Sequence, residues 1–391
     1  MSKIIDLSNN KKNEIIELRE LLHSQPELAH REFSTNKILL EYLQKLDLDI
    51  KSPVAGTGII ATLRGKGKGK TVAIRADMDA LPIQEENNLP FKSLHDGIMH
   101  ACGHDAHMSM VYGAIKVLSD LKDQFDGNIR VIFQPAEEEG TLGGAKPMIE
   151  EGALKDVDYI LGMHVWEDLP EGKIGYKAGP LLASADMFNA MIIGKGGHAA
   201  SPHMAVDPIV ISARIIETLQ TIASREIDPL ESVVITIGSI NGGSAPNVIP
   251  ERVELRGTIR TLNNEIRNTM EQRLKRIFDG ITRSSNATFD LRYIYGYPAT
   301  INDKKVTEIV KESLSNLFGA DTIVEVKPTL AGEDFSYYLQ RTPGTYLVLG
   351  LYNEKLGYIY PTHNPKFNLN ENILPIGAAA LVESALTLLK H

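Results

Sequence analysis

Apolar residues near the start of the chain recur at helical spacing (Ile15, Ile16, Leu18, Leu21 and Leu22, then Ile38, Leu39, Leu40, Tyr42, Leu43 and Leu46), with a break at Ser24-Gln25-Pro26. The pattern predicts two helices over 11–47 joined by a turn. Beyond them the period shortens. Apolar runs predict strands at 58–63, 71–75, 128–133, 157–163, 322–327 and 344–350, bounded by turn residues. The Gly/Lys turn at 64–70 is a solvated hairpin tip, because no helix follows it to make a phosphate cradle. A helical period in Met108, Val111, Ala114, Ile115, Val117 and Leu118 predicts a helix starting close to His104. Two more helices are predicted at 304–318 and 376–389.

From 186 the pattern changes to strand (187–193), helix (207–224), strand (232–240), strand (252–260), helix (263–282) and strand (288–295). This βαββαβ order makes a split four-stranded sheet with two helices on one face. It reads as an insertion, residues 185–298, within a discontinuous domain formed by 1–184 and 299–391. Two connections permit a clamshell motion. The expected fold class is therefore α/β: a central mixed sheet with helices on both faces, plus an inserted βαββαβ (ferredoxin-like) lid.

Composition changes this picture little. The 391 residues are 43% hydrophobic and 23% charged, ordinary for a chain of two domains. A formal net charge of -9 argues against nucleic acid as a partner, since phosphate binding needs clustered Lys and Arg. No uncharged apolar run approaches the roughly 18 residues of a membrane helix. A single cysteine forms no intramolecular disulfide, and the first residues are too charged for a secretory signal, so a cytoplasmic location is expected.

Chemistry concentrates in Met99-His100-Ala101-Cys102-Gly103-His104-Asp105-Ala106-His107, which holds three imidazoles, a carboxylate and the only cysteine. Thiolate and imidazole are preferred zinc ligands, and Cys102 and His104 can share one ion if the backbone turns at the glycine between them. A turn whose histidines serve only local hydrogen bonds is the plainer alternative. Other polar groups follow strands: Asp77 and Asp79 after 71–75, Glu137 and Glu138 after 128–133, and His164 after 157–163. Open α/β sheets place their sites at such strand ends. With His363, in the loop 360–365 after the strand 344–350, Cys102, His104, Glu138 and His164 make five candidate metal ligands. Cys102, beside His100 and His104 at a helix N-terminus, is a thiolate candidate. Consecutive residues leaving a strand point apart, so Glu138 can bind metal while Glu137 holds water as general base. That combination predicts metal-assisted hydrolysis of an amide. Glu333-Asp334 either caps the helix that follows or lines the substrate pocket.

Arg75-Ala76-Asp77-Met78-Asp79-Ala80-Leu81-Pro82, the segment 99–107, Gln134-Pro135-Ala136-Glu137-Glu138, Gly196-Gly197-His198-Ala199, Asn247-Val248-Ile249-Pro250 and Ala331-Gly332-Glu333-Asp334-Phe335 together resemble the clan MH metallopeptidases. The resemblance is to the aminoacylase, hippurate hydrolase and amidohydrolase branch, and by overall run to the archaeal thermostable carboxypeptidases. It implies a catalytic domain binding one or two Zn2+ ions, with Mn2+, Co2+ or Ni2+ as alternatives, and a lid domain that makes a homodimer or a higher oligomer. It further implies that His198 stabilises the oxyanion in the partner subunit's site, and that Asn247 and Arg260 bind the substrate. The substrate is expected to be an N-acyl amino acid or short N-blocked peptide. Where the wider clan has His-x-Asp this chain has Arg75-Ala76-Asp77, so Asp77 is expected to support the site rather than ligate metal. A catalytically silent metal-binding protein keeping this fold is the rival reading.

Overall fold

Eight strands make one mixed sheet in the computed structural model, which describes residues 3–391. Their order is Asp49–Val54, Gly58–Arg64, Asn128–Gln134, Thr71–Asp77, Tyr159–Pro170, Gly344–Tyr352, Ile174–Tyr176 and Ile323–Glu325. The four central strands, from Asn128–Gln134 to Gly344–Tyr352, run parallel, so their carboxyl ends share one edge. Every residue of Thr71–Asp77 is buried. Side chains alternate between the two faces of a strand, so burial at every position means that both faces are covered.

The helix His104–Asp120 packs on Lys12–Ser24 and on Leu374–Leu388, which also meets Lys304–Phe318 and Lys3–Asn10. Among the described residues only Glu371–Leu388 is long and apolar enough to cross a membrane, and 67% of that stretch is buried in the protein. Its apolar surface is that of a core helix.

Three local features differ from the sequence expectation. A helix at Lys3–Asn10 precedes the expected pair. The strand Asp49–Val54 lies at the sheet edge with little burial, so its polar residues carry no apolar run to announce it. Most consequential, the strand expected at 157–163 spans Tyr159–Pro170. Its continuation through Trp166 is polar in part but pairs with Gly344–Tyr352, His164 lying opposite Val348. His164 is therefore inside a strand and not at its end.

The chain divides into two compact units. One takes in the chain up to Leu181, Ile301–Lys327 and Asp334–His391; the other is Leu182–Thr300 with Pro328–Glu333. The divisions fall a few residues from the expected junctions. Pro328–Glu333 joins the second unit because Leu182 bridges Thr329 and the Ala183 N–H donates to the Ala331 carbonyl at 2.9 Å.

The second unit has strand order Val233–Gly242, Arg252–Thr261, Ser184–Ile193, Thr288–Tyr297, all antiparallel, the ferredoxin-like arrangement of a βαββαβ chain. Its helices, Pro208–Thr221 and Asn264–Ser284, start where Asp207 and Asn263 accept the N–H groups of the first turn. Phe188, Ile192, Leu219, Leu255, Leu274 and Phe278 form its core.

Candidate metal centre

Glycine makes the turn that presents Cys102 and His104. Gly103 has φ +82° and precedes the helix that His104 opens. A Cβ there would also lie 2.5 Å from Val165 Cγ2, so both conformation and space demand glycine. On the adjacent strand end, Asp79 accepts the backbone N–H groups of Glu137 at 3.0 Å and Glu138 at 2.8 Å. His363, on the loop after the last sheet strand, is tied in by its N–H donating to the Ala101 carbonyl at 2.7 Å.

These backbones bring five donor side chains together. Cys102 Sγ is 3.4 Å from His164 Nε2, and His363 Nε2 is 3.1 Å from Glu138 Oε1. His104 Nε2 lies 4.0 Å from Glu138 Oε1. Donor atoms of Cys102, His104 and His164 lie within 4.8 Å of one another, as do those of Cys102, Glu138 and His363, and those of His104, Glu137 and Glu138. Donors held about 2.0–2.3 Å from one ion stand roughly 3.3–3.8 Å apart in a tetrahedron, so these separations suit a bound cation. His104 Nε2 is buried without a hydrogen bond, 3.8 Å from Asp77 Oδ2 and 4.0 Å from Glu138 Oε1, while His104 Nδ1 stands 3.4 Å from Asp79 Oδ1. Buried polar atoms almost always have partners, and a cation among these atoms would supply one. The residues therefore fit a divalent metal.

The field of the cluster points the same way. Burial alone would lower the His104 pKa, but Asp77, Asp79 and Glu138 push it up to about 10. Burial, then the charges of Glu138, Glu137 and Asp77, push the Cys102 thiol well above its ordinary value. The thiolate expected from the neighbouring histidines is thus not stable by itself. Three carboxylates outweigh the imidazoles, and ionised Cys102 needs a cation beside it. His164 is held well below the ordinary histidine range by burial and by His107, which keeps it a neutral donor. Its Nδ1 lies 2.6 Å from the Val165 carbonyl, where only an N–H is accepted, so Nε2 carries the lone pair that faces Cys102.

Asp77 sits behind these groups. Burial would raise its pKa, yet His104, His107 and Arg75 hold it well below the usual carboxylate range. Arg75 Nη1 donates to Asp77 Oδ2 at 2.7 Å, Nη2 to Asp334 Oδ1 at 2.7 Å, and Nε to Gln134 Oε1 at 2.9 Å. The other Asp77 oxygen is 2.6 Å from His107 Nδ1, whose Nε2 accepts the Val165 N–H at 3.0 Å. His107 thus links the aspartate to the strand that carries His164. Asp334 is buried in the Arg75 network, accepting also from Gln134 Nε2 and the Ala145 N–H. The N-cap position of the helix Ser336–Leu339 is Phe335, which makes no side-chain cap.

His198, Asn247 and Arg260 belong to the second unit. There the Gly197–His198 segment pairs with Val248–Ile249, placing His198 opposite Val248, the residue after Asn247. His198 is exposed, its Nδ1 accepting the Ala200 N–H at 3.0 Å. Arg260 lies on the strand Arg252–Thr261 and burial lowers its pKa. The sequence places Asp79 at a strand end without a role of its own and leaves His107 as either a residue supporting the site or helix surface. A carboxylate that binds backbone N–H groups leaves no spacing signal, and a histidine three positions after His104 looks like helix surface until the strand behind it is placed.

A family model described as peptidase family M20/M25/M40 matches residues 73–387. Thermostable carboxypeptidase 1 of Saccharolobus solfataricus is 44% identical over 368 residues, 94% of this chain and 93% of that one. N-acetyl-L-cysteine deacetylase of Bacillus subtilis is 39% identical over 388 residues, 99% of this chain and 91% of that one. Among solved structures, the Bacillus subtilis YXEP protein, a dinuclear metal binding peptidase from the M20 family, aligns with a TM-score of 0.86 at 34% identity, covering 98% of this chain and 99% of that one.

Proposed function

The chain belongs to peptidase family M20/M25/M40, a hydrolase family, and from that premise we propose a divalent-metal amide hydrolase releasing a free amino acid from N-acyl amino acids or short N-blocked peptides. The observation that carries the proposal is the convergence of His104 Nε2, buried without a hydrogen bond, and of Glu138 with Cys102, His164 and His363, beside Glu137. Similarity to a carboxypeptidase and to an N-acetyl-L-cysteine deacetylase supports both arms of the substrate class.

In this reading Cys102, His104, Glu138, His164 and His363 hold one or two ions, Zn2+ foremost, with Mn2+, Co2+ or Ni2+ as alternatives. Likeness to a dinuclear relative supports two. A divalent cation held there would supply Lewis-acid chemistry, acidifying water and polarising the scissile carbonyl. Glu137 takes the proton of the attacking water and returns it to the departing amine nitrogen. Asp77, through His107, fixes the strand behind His164. His198, contributed by the partner subunit of a homodimer made through the second unit, stabilises the oxyanion. Asn247 and the Arg260 guanidinium take the substrate carboxylate or carbonyl. A cytoplasmic location completes the proposal.

The test is a panel of N-acetyl and benzyloxycarbonyl amino acids beside dipeptides, assayed with and without a chelator. Turnover should vanish on chelation and return with metal. Full-rate hydrolysis by metal-stripped protein would sink the reading. Which half of the panel is faster separates deacylase from carboxypeptidase.

A further inference from the structure

The turn presenting Glu137 and Glu138 is held by carboxylates from two other segments. Ala136 sits at φ 56°, in the left-handed region that side chains with a Cβ adopt only under constraint. Its N–H donates to Glu32 Oε1 at 2.9 Å, while the next two N–H groups go to the two oxygens of Asp79. Glu32 is fully buried just before the helix Phe33–Leu43. Its own aim is fixed on both oxygens: the His30 N–H donates to Oε1 at 3.0 Å and the Thr57 hydroxyl to Oε2 at 2.6 Å. The Ala136 carbonyl in turn accepts the Gly144 N–H at 3.2 Å.

We propose that Glu32 is a positioning residue for the hydrolysis: by binding the Ala136 N–H it keeps that residue left-handed, and so aims Glu137 and Glu138 in the two directions their roles need. The proposal rests on the reading of Glu137 as base and Glu138 as metal ligand. Its physical ground is the short 3-10 turn Glu137–Glu139, whose leading N–H groups have no partner within the turn. Bound to buried carboxylates, these donors are satisfied by strong, charge-assisted bonds. Without Glu32 the Ala136 N–H is stranded in the interior, and the left-handed residue can relax only by rotating the peptide that leads into Glu137. Both acidic side chains would turn with it. Glu32 is 104 residues from Ala136 and touches none of the five donors in this hydrogen-bond set, which separates its role from ligation.

The test compares E32A, E32Q and the double variant E32A/A136G in the full-length protein. Readouts are kcat and KM on an N-acetyl amino acid, and zinc affinity by competition with a chromophoric chelator. E32A should lose about tenfold or more in kcat with KM little changed, and should bind zinc more weakly because Glu138 moves with the turn. E32Q, whose amide oxygen can accept the same N–H groups, should stay within about threefold of wild type. Glycine tolerates positive φ but leaves the same N–H without its acceptor, so A136G in the E32A background should recover at most the share of both losses that comes from backbone strain. Wild-type kcat and zinc affinity in E32A would overturn the proposal, as would an E32Q protein impaired as far as E32A, since its amide oxygen still accepts the Ala136 N–H. Should E32A fail to fold, E32D keeps the charge but shortens the reach and is judged by the same outcomes. Turnover surviving in E137Q would instead overturn the assigned base, and the zinc-affinity arm would still decide whether Glu32 fixes the turn.

Discussion

Gly103→Ala is the sharpest perturbation of the turn between Cys102 and His104. Two terms oppose it. The residue sits at φ +82°, where an added Cβ costs about 1–2 kcal/mol. The same Cβ would stand 2.5 Å from Val165 Cγ2, well inside contact distance, and overpacking of a filled core typically costs about 1–3 kcal/mol. Together the expected loss is about 2–5 kcal/mol. It emerges as lower stability of the metal-free chain if the turn is kept, or as weaker metal binding if the segment relaxes and Cys102 swings away. Urea unfolding of the metal-free protein and chelator competition of the loaded one measure both shares. Val165→Ala in the same background removes the clashing methyls, so the double variant should regain the packing part and leave the φ part. A G103A protein with stability and metal affinity both within about 0.5 kcal/mol of wild type would refute the argument, since surface-like tolerance is what a non-strained glycine would show.

Arg75→Met leaves Asp77 and Asp334 buried without their shared cation, so urea unfolding should show a loss of about 3–5 kcal/mol; a loss under about 1 kcal/mol would mean that the network is not what holds these carboxylates. Burial would lower the pKa of His23, but its contacts with Asp105 and Glu85 raise it above the ordinary 6.5. Its contribution to stability is therefore complete below pH 6.5 and lost as pH rises through the raised value, and the fall in urea midpoint on going to alkaline pH should be smaller in His23→Gln than in wild type. Removing metal should lower the melting temperature: at a thousandfold excess over Kd a bound ion contributes about 4 kcal/mol, and identical melting curves with and without chelator would argue that nothing binds. Glu137→Gln should retain metal while turnover falls by about a hundredfold or more.

Much of the site was legible because its parts are local in sequence. Cys102-Gly103-His104 and Glu137-Glu138 announce themselves by residue type at short spacing, and the apolar runs before Asp77 and Glu137 place them at strand ends. The α/β fold with its βαββαβ insertion was legible for the same reason, since each element carries its own period. What escaped depends on pairing across the fold. His164 reads as a strand end until Gly344–Tyr352 is seen to extend the ladder past it. Asp334 reads as a helix cap or a pocket residue until Arg75 is seen to reach it from another strand. Cys102 reads as a thiolate when only its histidine neighbours are counted, and the sign reverses once its burial, and then the charges of Glu138, Glu137 and Asp77, are counted. Asp79 and Glu32 act through backbone N–H groups, which no side-chain pattern records.

The central claim is that five side chains from distant segments hold a divalent cation beside Glu137. An anomalous difference map from crystals grown with zinc, collected on both sides of the zinc absorption edge, tests it most directly. The account predicts one or two strong peaks bounded by Cys102, His104, Glu138, His164 and His363. A map with no peak among those residues, from protein that still hydrolyses its amide substrate, would contradict it.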